Sequence, residues 1–191
     1  RSADTFRQSD DWQLVLVSST YPIAEDYSIE LTELRYGQKI DSRVYPYLQK
    51  MFDDMRSEEL APRVISGYRT RQEQQELVDE KIREYMGYGK SREEAEELAL
   101  QWEFAAGASE HELGICADIS SENEDTEMAE KVWAWLDAHC AEYGFIKRYP
   151  AGKSAITGMR GEPWHYRFVG EEAAKEIMSS GITLEEYLGA K

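Results

Sequence analysis

Histidine and cysteine are scarce in this chain of 191 residues, which has three of the first and two of the second. Two cysteines cannot build the disulfide framework of a small secreted domain. Cys116 falls on an apparent strand and Cys140 on the apolar face of a helix, so both are read as small buried hydrophobes, and the compartment stays open. Long apolar runs are missing as well: Leu14 to Val17 is typical and far too short to cross a bilayer. Basic residues number 22 against 38 acidic ones, and the formal net charge of −16 argues against nucleic acid and anionic membrane surfaces as partners. No repeat, low-complexity tract or linker interrupts the chain. What remains, 41% hydrophobic and 31% charged, is an ordinary globular composition at a length suited to one domain. The chain opens on Arg1 with neither Met nor apolar leader and is read as a mature or trimmed form, in which an export signal would already be missing.

Residues 1–11 are polar and read as a lead-in to a single domain over 12–191. Val- and Leu-rich alternation from Trp12 to Ser18 predicts a strand. Leu48, Met51, Phe52 and Met55 carry a helical period over 45–58, and Arg63 to Tyr68 reads as a second strand. Thr70 with Glu73 forms a capping box opening a helix with the stripe Leu77, Val78, Ile82 and Tyr85, and Gln74 shares that face. A second box, Ser91 with Glu94, opens a helix expected to bury Ala95, Leu98, Ala99 and Trp102. Ile115 to Ile119 reads as a buried strand, and Thr126 to Tyr143 as a helix stopped by Gly144. Phe145 to Tyr149 and Trp164 to Val169 are further strands, followed by a helix over 171–179 and a last turn capped by Thr183 and Glu186. Strands and helices mix without a regular βαβ alternation, which predicts an α+β fold: a small, largely antiparallel sheet packed by helices.

Two of the three histidines lie in motifs. Ser109-Glu110-His111-Glu112-Leu113-Gly114-Ile115-Cys116-Ala117-Asp118 supplies an imidazole and, seven residues on, a carboxylate; Glu162-Pro163-Trp164-His165 supplies a second pair. Three ligands, an open position for water and a carboxylate base beside it are what a catalytic zinc site needs. On straight strands neither pair would share a face, so Gly114 must mark a turn or bulge and Pro163 a bend. Asp118 among Ile115, Cys116, Ala117 and Ile119 is costly to bury unless paired or metal-bound. The third histidine, His139, shares a helix face with Trp135 and reads as a surface or half-buried residue. The acidic run 121–125 lacks EF-hand spacing and reads as a solvated loop.

These residues resemble the VanY-type D-alanyl-D-alanine carboxypeptidases, zinc peptidases of bacterial peptidoglycan that include L,D-carboxypeptidases. Ser109, His111, Gly114, Cys116 and Asp118 meet the pattern S-x-H-x-x-G-x-[small]-x-D, although Cys116 stands where Ala or Ser is more usual; Glu162 to Arg167 meet E-P-W-H-[aromatic]-R; and Ser66-Gly67-Tyr68-Arg69 with Gln74 is a third signature. The resemblance implies a zinc site in a cleft on the sheet, with His111, Asp118 and His165 as ligands and Glu162 as catalytic base. Arg69 would join the catalytic set and, with Gln74, Ser109, Arg148 and Tyr149, hold substrate. It further implies an extracytoplasmic setting, secreted or envelope-associated, and peptidoglycan stem peptides ending in D-Ala as partners. Cleavage of D-Ala-D-Ala and trimming of the tetrapeptide's terminal D-Ala both stay open. A non-catalytic stem-binding module with a vestigial metal site is the alternative, and such a module should have lost a ligand or the base.

Overall fold

A computed structural model of the chain describes residues 11–190, so all of the expected lead-in but Asp11 lies outside the described residues. A hairpin of β1 (Leu31–Glu33) and β2 (Lys39–Asp41) precedes helix α1 (Tyr45–Ser57). Strand β3 (Pro62–Ser66) leads into α2 (Arg71–Gly87) and α3 (Arg92–Ala99). Then come β4 (Cys116–Ser121), α4 (Thr126–His139), β5 (Phe145–Tyr149), the short α5 (Ser154–Thr157), β6 (Glu162–Phe168), α6 (Glu171–Ser180) and the short α7 (Leu184–Tyr187). Both expected capping boxes form at α2 and α3, and a third opens α7. Gly144, at φ +80, ends the turn that follows α4.

The main sheet has the order β3-β4-β6-β5, antiparallel throughout. Strand alternation divides its residues between two faces. Val64, Ala117, Ile119, Tyr166 and Phe168 face one way and pack with Leu48, Met51 and Met55 of α1 and Val132 and Leu136 of α4 in the main core. Cys116, Asp118, His165 and Arg167 point to the other face. There Ile146 and Val169 join Ala174, Ile177 and Leu184 in a second core.

Two expectations need correction, and one hairpin was not expected. Residues 12–18 form no strand: a 3-10 turn (Trp12–Leu14) gives way to a segment outside the sheet. Its alternation reflects two destinations, Trp12 and Val15 packing on the main core and Leu14 and Leu16 on the second. The carbonyls of Gln13 and Val15, which a strand partner would have taken, accept instead from Arg167 Nη2, each at 2.8 Å. Trp102 is not buried on a helix, because α3 stops at Ala99; the indole is 40% exposed beside the cleft described below. The β1–β2 hairpin has no strong sequence pattern, since each strand is only three residues long and carries charge.

Candidate active site

His111 sits in a 3-10 turn (Glu110–Leu113) whose N-cap, Ser109, accepts the His111 N–H at 3.3 Å through Oγ. Gly114 ends that turn at φ +74, a conformation an L side chain resists. A Cβ there would also collide with Ile29 Cδ1. The turn reverses the chain into β4, which brings Asp118 back alongside His111, so Gly114 is the expected turn. The β4–β6 register places Asp118 directly opposite His165. Between the pairs Tyr166–Lys147 and Glu162–Tyr149, three residues of β6 face one of β5. This bulge at Pro163 turns Glu162 toward His165, with Glu162 Oε2 3.7 Å from His165 Nδ1. It also turns Trp164 out of the core and into the cleft wall.

Hydrogen bonds fix both imidazoles. His111 Nδ1 lies 2.7 Å from the Gly67 carbonyl, which can only accept, so Nδ1 carries the proton and Nε2 presents a lone pair. His165 Nε2 faces Glu110 Oε2 at 3.3 Å, leaving Nδ1 as the inward lone pair. These two nitrogens lie 3.4 and 3.0 Å from Asp118 Oδ1, a buried oxygen that makes no hydrogen bond. Three electron-pair donors thus converge without satisfying one another. Donors about 2.0–2.1 Å from a tetrahedral zinc ion stand roughly 3.3 Å apart, so these residues fit that ion. The charges agree. Burial favours a neutral imidazole at His111, yet Cys116 and Asp118 outweigh it and raise the pKa to about 9. Burial opposes the Asp118 carboxylate too, and the two histidines nevertheless hold its pKa far below the usual range. Burial lifts the pKa of Glu162 above the ordinary carboxylate value, the direction expected of a proton acceptor and donor.

Cys116 lies on the same face of β4 as Asp118, two residues earlier and fully buried, its sulfur within 4.8 Å of both imidazoles. It is a free buried thiol, as is Cys140. The sequence indicated its burial but not its place under the histidine pair.

The remaining expected site residues divide. Arg69 lines the cleft with Ser109 and Tyr149. It is tethered by donating from Nε to Ser66 Oγ at 3.1 Å and from Nη1 to Gln74 Oε1 at 2.7 Å, while Nη2 comes within 3.7 Å of Asp118 Oδ2. Tyr149 packs its ring at a tilt against His165, centroids 4.9 Å apart, and burial pushes its phenol pKa well up, so it stays a donor. Gln74 and Arg148 do not reach the cleft. Gln74 is fully buried, with Nε2 donating to the Phe104 carbonyl at 2.7 Å, and it positions Arg69. Arg148 is only 2% exposed and gives its donors to Glu110 at 2.7 Å and to both Glu185 oxygens at 2.9 and 2.5 Å. Glu110, overlooked at the level of sequence, accepts from Arg148, Arg167 (2.7 Å) and His165. Burial opposes its charge, but the two arginines prevail and its pKa falls well below the carboxylate range. Its position inside the His111 motif was the only signal available. His139 is half-buried and pairs with Glu142 at 2.8 Å, away from the site.

With this geometry in place, the chain can be set beside known proteins. The pattern of the family described as VanY, D-alanyl-D-alanine carboxypeptidase, matches residues 37–171. A D-alanyl-D-alanine carboxypeptidase of Enterococcus faecalis is 44% identical over 181 residues, covering 95% of this chain and 67% of that protein. The chain therefore spans about two thirds of that relative's length. A mutant of the vancomycin-resistance D,D-pentapeptidase VanY, solved with Zn(II), superposes with a TM-score of 0.87 at 45% identity, covering 93% of this chain and 99% of the other. VanYB in complex with D-alanine-D-alanine gives 0.88 at 44% identity, covering 94% and 99%. The LdcB LD-carboxypeptidase gives 0.79 at 29% identity, covering 95% and 88%.

Proposed function

This chain belongs to the VanY family of D-alanyl-D-alanine carboxypeptidases, and from that premise we propose that it hydrolyses the last peptide bond of peptidoglycan stem peptides ending in D-Ala-D-Ala. The convergence of His111 Nε2, Asp118 Oδ1 and His165 Nδ1 carries this reading. Those three side chains would hold the zinc ion. When bound, zinc supplies Lewis acidity, bringing the pKa of water toward about 7 and polarising the scissile carbonyl.

The chain's own groups do the rest. Glu162 accepts the proton of the attacking water on its carboxylate and delivers it to the departing amine, and its raised pKa suits both steps. Arg69, preset by Ser66 and Gln74, turns toward the cleft an Nη2 that makes no hydrogen bond among the described residues and only a long 3.7 Å ion pair to Asp118; this group holds the peptide's terminal carboxylate, which selects carboxypeptidase over endopeptidase action. Tyr149 and Ser109 shape the cleft around the terminal residue. The two indoles Trp102 and Trp164 flank the entrance. D,D-specificity is favoured by 45% identity with the D,D-pentapeptidase against 29% with the LD-carboxypeptidase. Among the described residues no helix is long and apolar enough to cross a membrane. A substrate in the cell wall supports an extracytoplasmic setting.

The test is incubation of the zinc-loaded protein with defined pentapeptide and tetrapeptide stems. D-Ala should leave the pentapeptide at least tenfold faster. Faster tetrapeptide turnover would make it an L,D-enzyme, and binding without D-Ala release from either would make it a stem-binding module.

A further inference from the structure

One guanidinium in the cleft is left over by this mechanism. Arg160 follows α5 and precedes Glu162 by two residues, and its side chain lines the same cleft. Its guanidinium carbon lies 3.5 Å from the centroid of a Trp102 ring and 5.7 Å from that of Trp164. Its Nε is buried and makes no hydrogen bond. Glu162 feels its charge, but among the described residues no carboxylate forms an ion pair with it. Most of the other described arginines pair with a carboxylate. Stacking on indoles holds a guanidinium in a fixed orientation and leaves its donor edge available. A cation held this way, with a buried unsatisfied N–H, is a receptor for an anion.

Resting on the proposed function, we infer that Arg160 binds a second carboxylate of the substrate, on the acyl side of the scissile bond. The terminal D-Ala has one carboxylate, which Arg69 takes, so the other must branch from the stem. Two sources share this chemistry: the α-carboxylate left free by a γ-linked glutamate, and the extra carboxylate of a diamino-dicarboxylic acid at the third position. Amidation of either removes the charge.

Three D-Ala-D-Ala peptides distinguish them: one with the free acid at the second residue, one with it at the third, and one amidated at both. Wild type should favour one acid peptide over the amide at least tenfold in kcat/KM, chiefly through KM. Arg160→Gln should lose at least tenfold more on that acid peptide than on the amide, and Arg160→Lys should recover part of the preference. Dissociation constants on zinc-loaded Glu162→Gln should show the same preference without turnover, so a failure of D-Ala release counts against the catalytic reading alone. Equal affinity for all three peptides would overturn the inference. So would an Arg160→Gln loss uniform across them with a displaced pH profile, which would mean that Arg160 acts only on Glu162.

Discussion

Replacing Glu110 with Gln removes one negative charge and keeps the shape. In the native protein Glu110 and Glu185 balance Arg148 and Arg167, four side chains of which none is more than 8% exposed. The substitution leaves that cluster with an excess positive charge, and a neutral amide faces His165. Removing one partner of a buried pair costs about 3–5 kcal/mol. Arg148 keeps Glu185, and Arg167 keeps the carbonyls of Gln13, Val15 and Phe168, which places the expectation at the lower end, about 3 kcal/mol. For a chain of this length that is a fall in Tm of roughly 6–12 °C. Total stability of about 5–15 kcal/mol leaves the variant folded. Because Glu110 also receives the outer N–H of His165, zinc affinity should fall about 10- to 100-fold. A pH dependence follows. The native pKa of Glu110 lies well below its ordinary 4.5, so its contribution is complete above that value and is lost as pH falls toward the native pKa. Glu110→Gln should therefore lose less stability on acidification than wild type. Calorimetry across pH and competitive zinc titration measure both effects. A Tm within about 2 °C of wild type and an unchanged zinc affinity would refute this account of the cluster.

Glu162→Gln should retain zinc while turnover falls about 100-fold or more, read as D-Ala release beside metal content; undiminished turnover would remove Glu162 as the base. Gly67→Ala should lose about 1–3 kcal/mol, because the new Cβ would overlap the Lys39 carbonyl oxygen, and zinc should bind more weakly since the Gly67 carbonyl orients His111. Chelation should lower Tm by about 8–16 °C relative to zinc at 1,000 times its dissociation constant, from roughly 4 kcal/mol of linkage. Asp118→Asn should abolish most of that difference, and persistence of the full shift would argue for ligands elsewhere.

The chemistry of the site was legible because few residue types can do it. With only three histidines, two of them in short motifs with carboxylates, the donor set stood out, and Gly114 and Pro163 marked where the chain had to bend. Helix starts were equally clear, since a capping box is a contact between residues three apart. Arg148 and Gln74 show the limit. Gln74 belongs to a motif and Arg148 to a strand remote from all of them in sequence, and only the packing of α7 against the sheet turns Arg148 to Glu185 and away from the cleft. The alternation of residues 12–18 was visible, but its partner was not: a single arginine takes the carbonyls of Gln13 and Val15 that a neighbouring strand would have taken. Local sequence determined the turns, the caps and the identity of the donor atoms, since those depend on neighbours along the chain. Tertiary structure alone decided which charges meet, because an ion pair between residues 37 to 57 positions apart is set by strand register and burial, to which no local pattern refers.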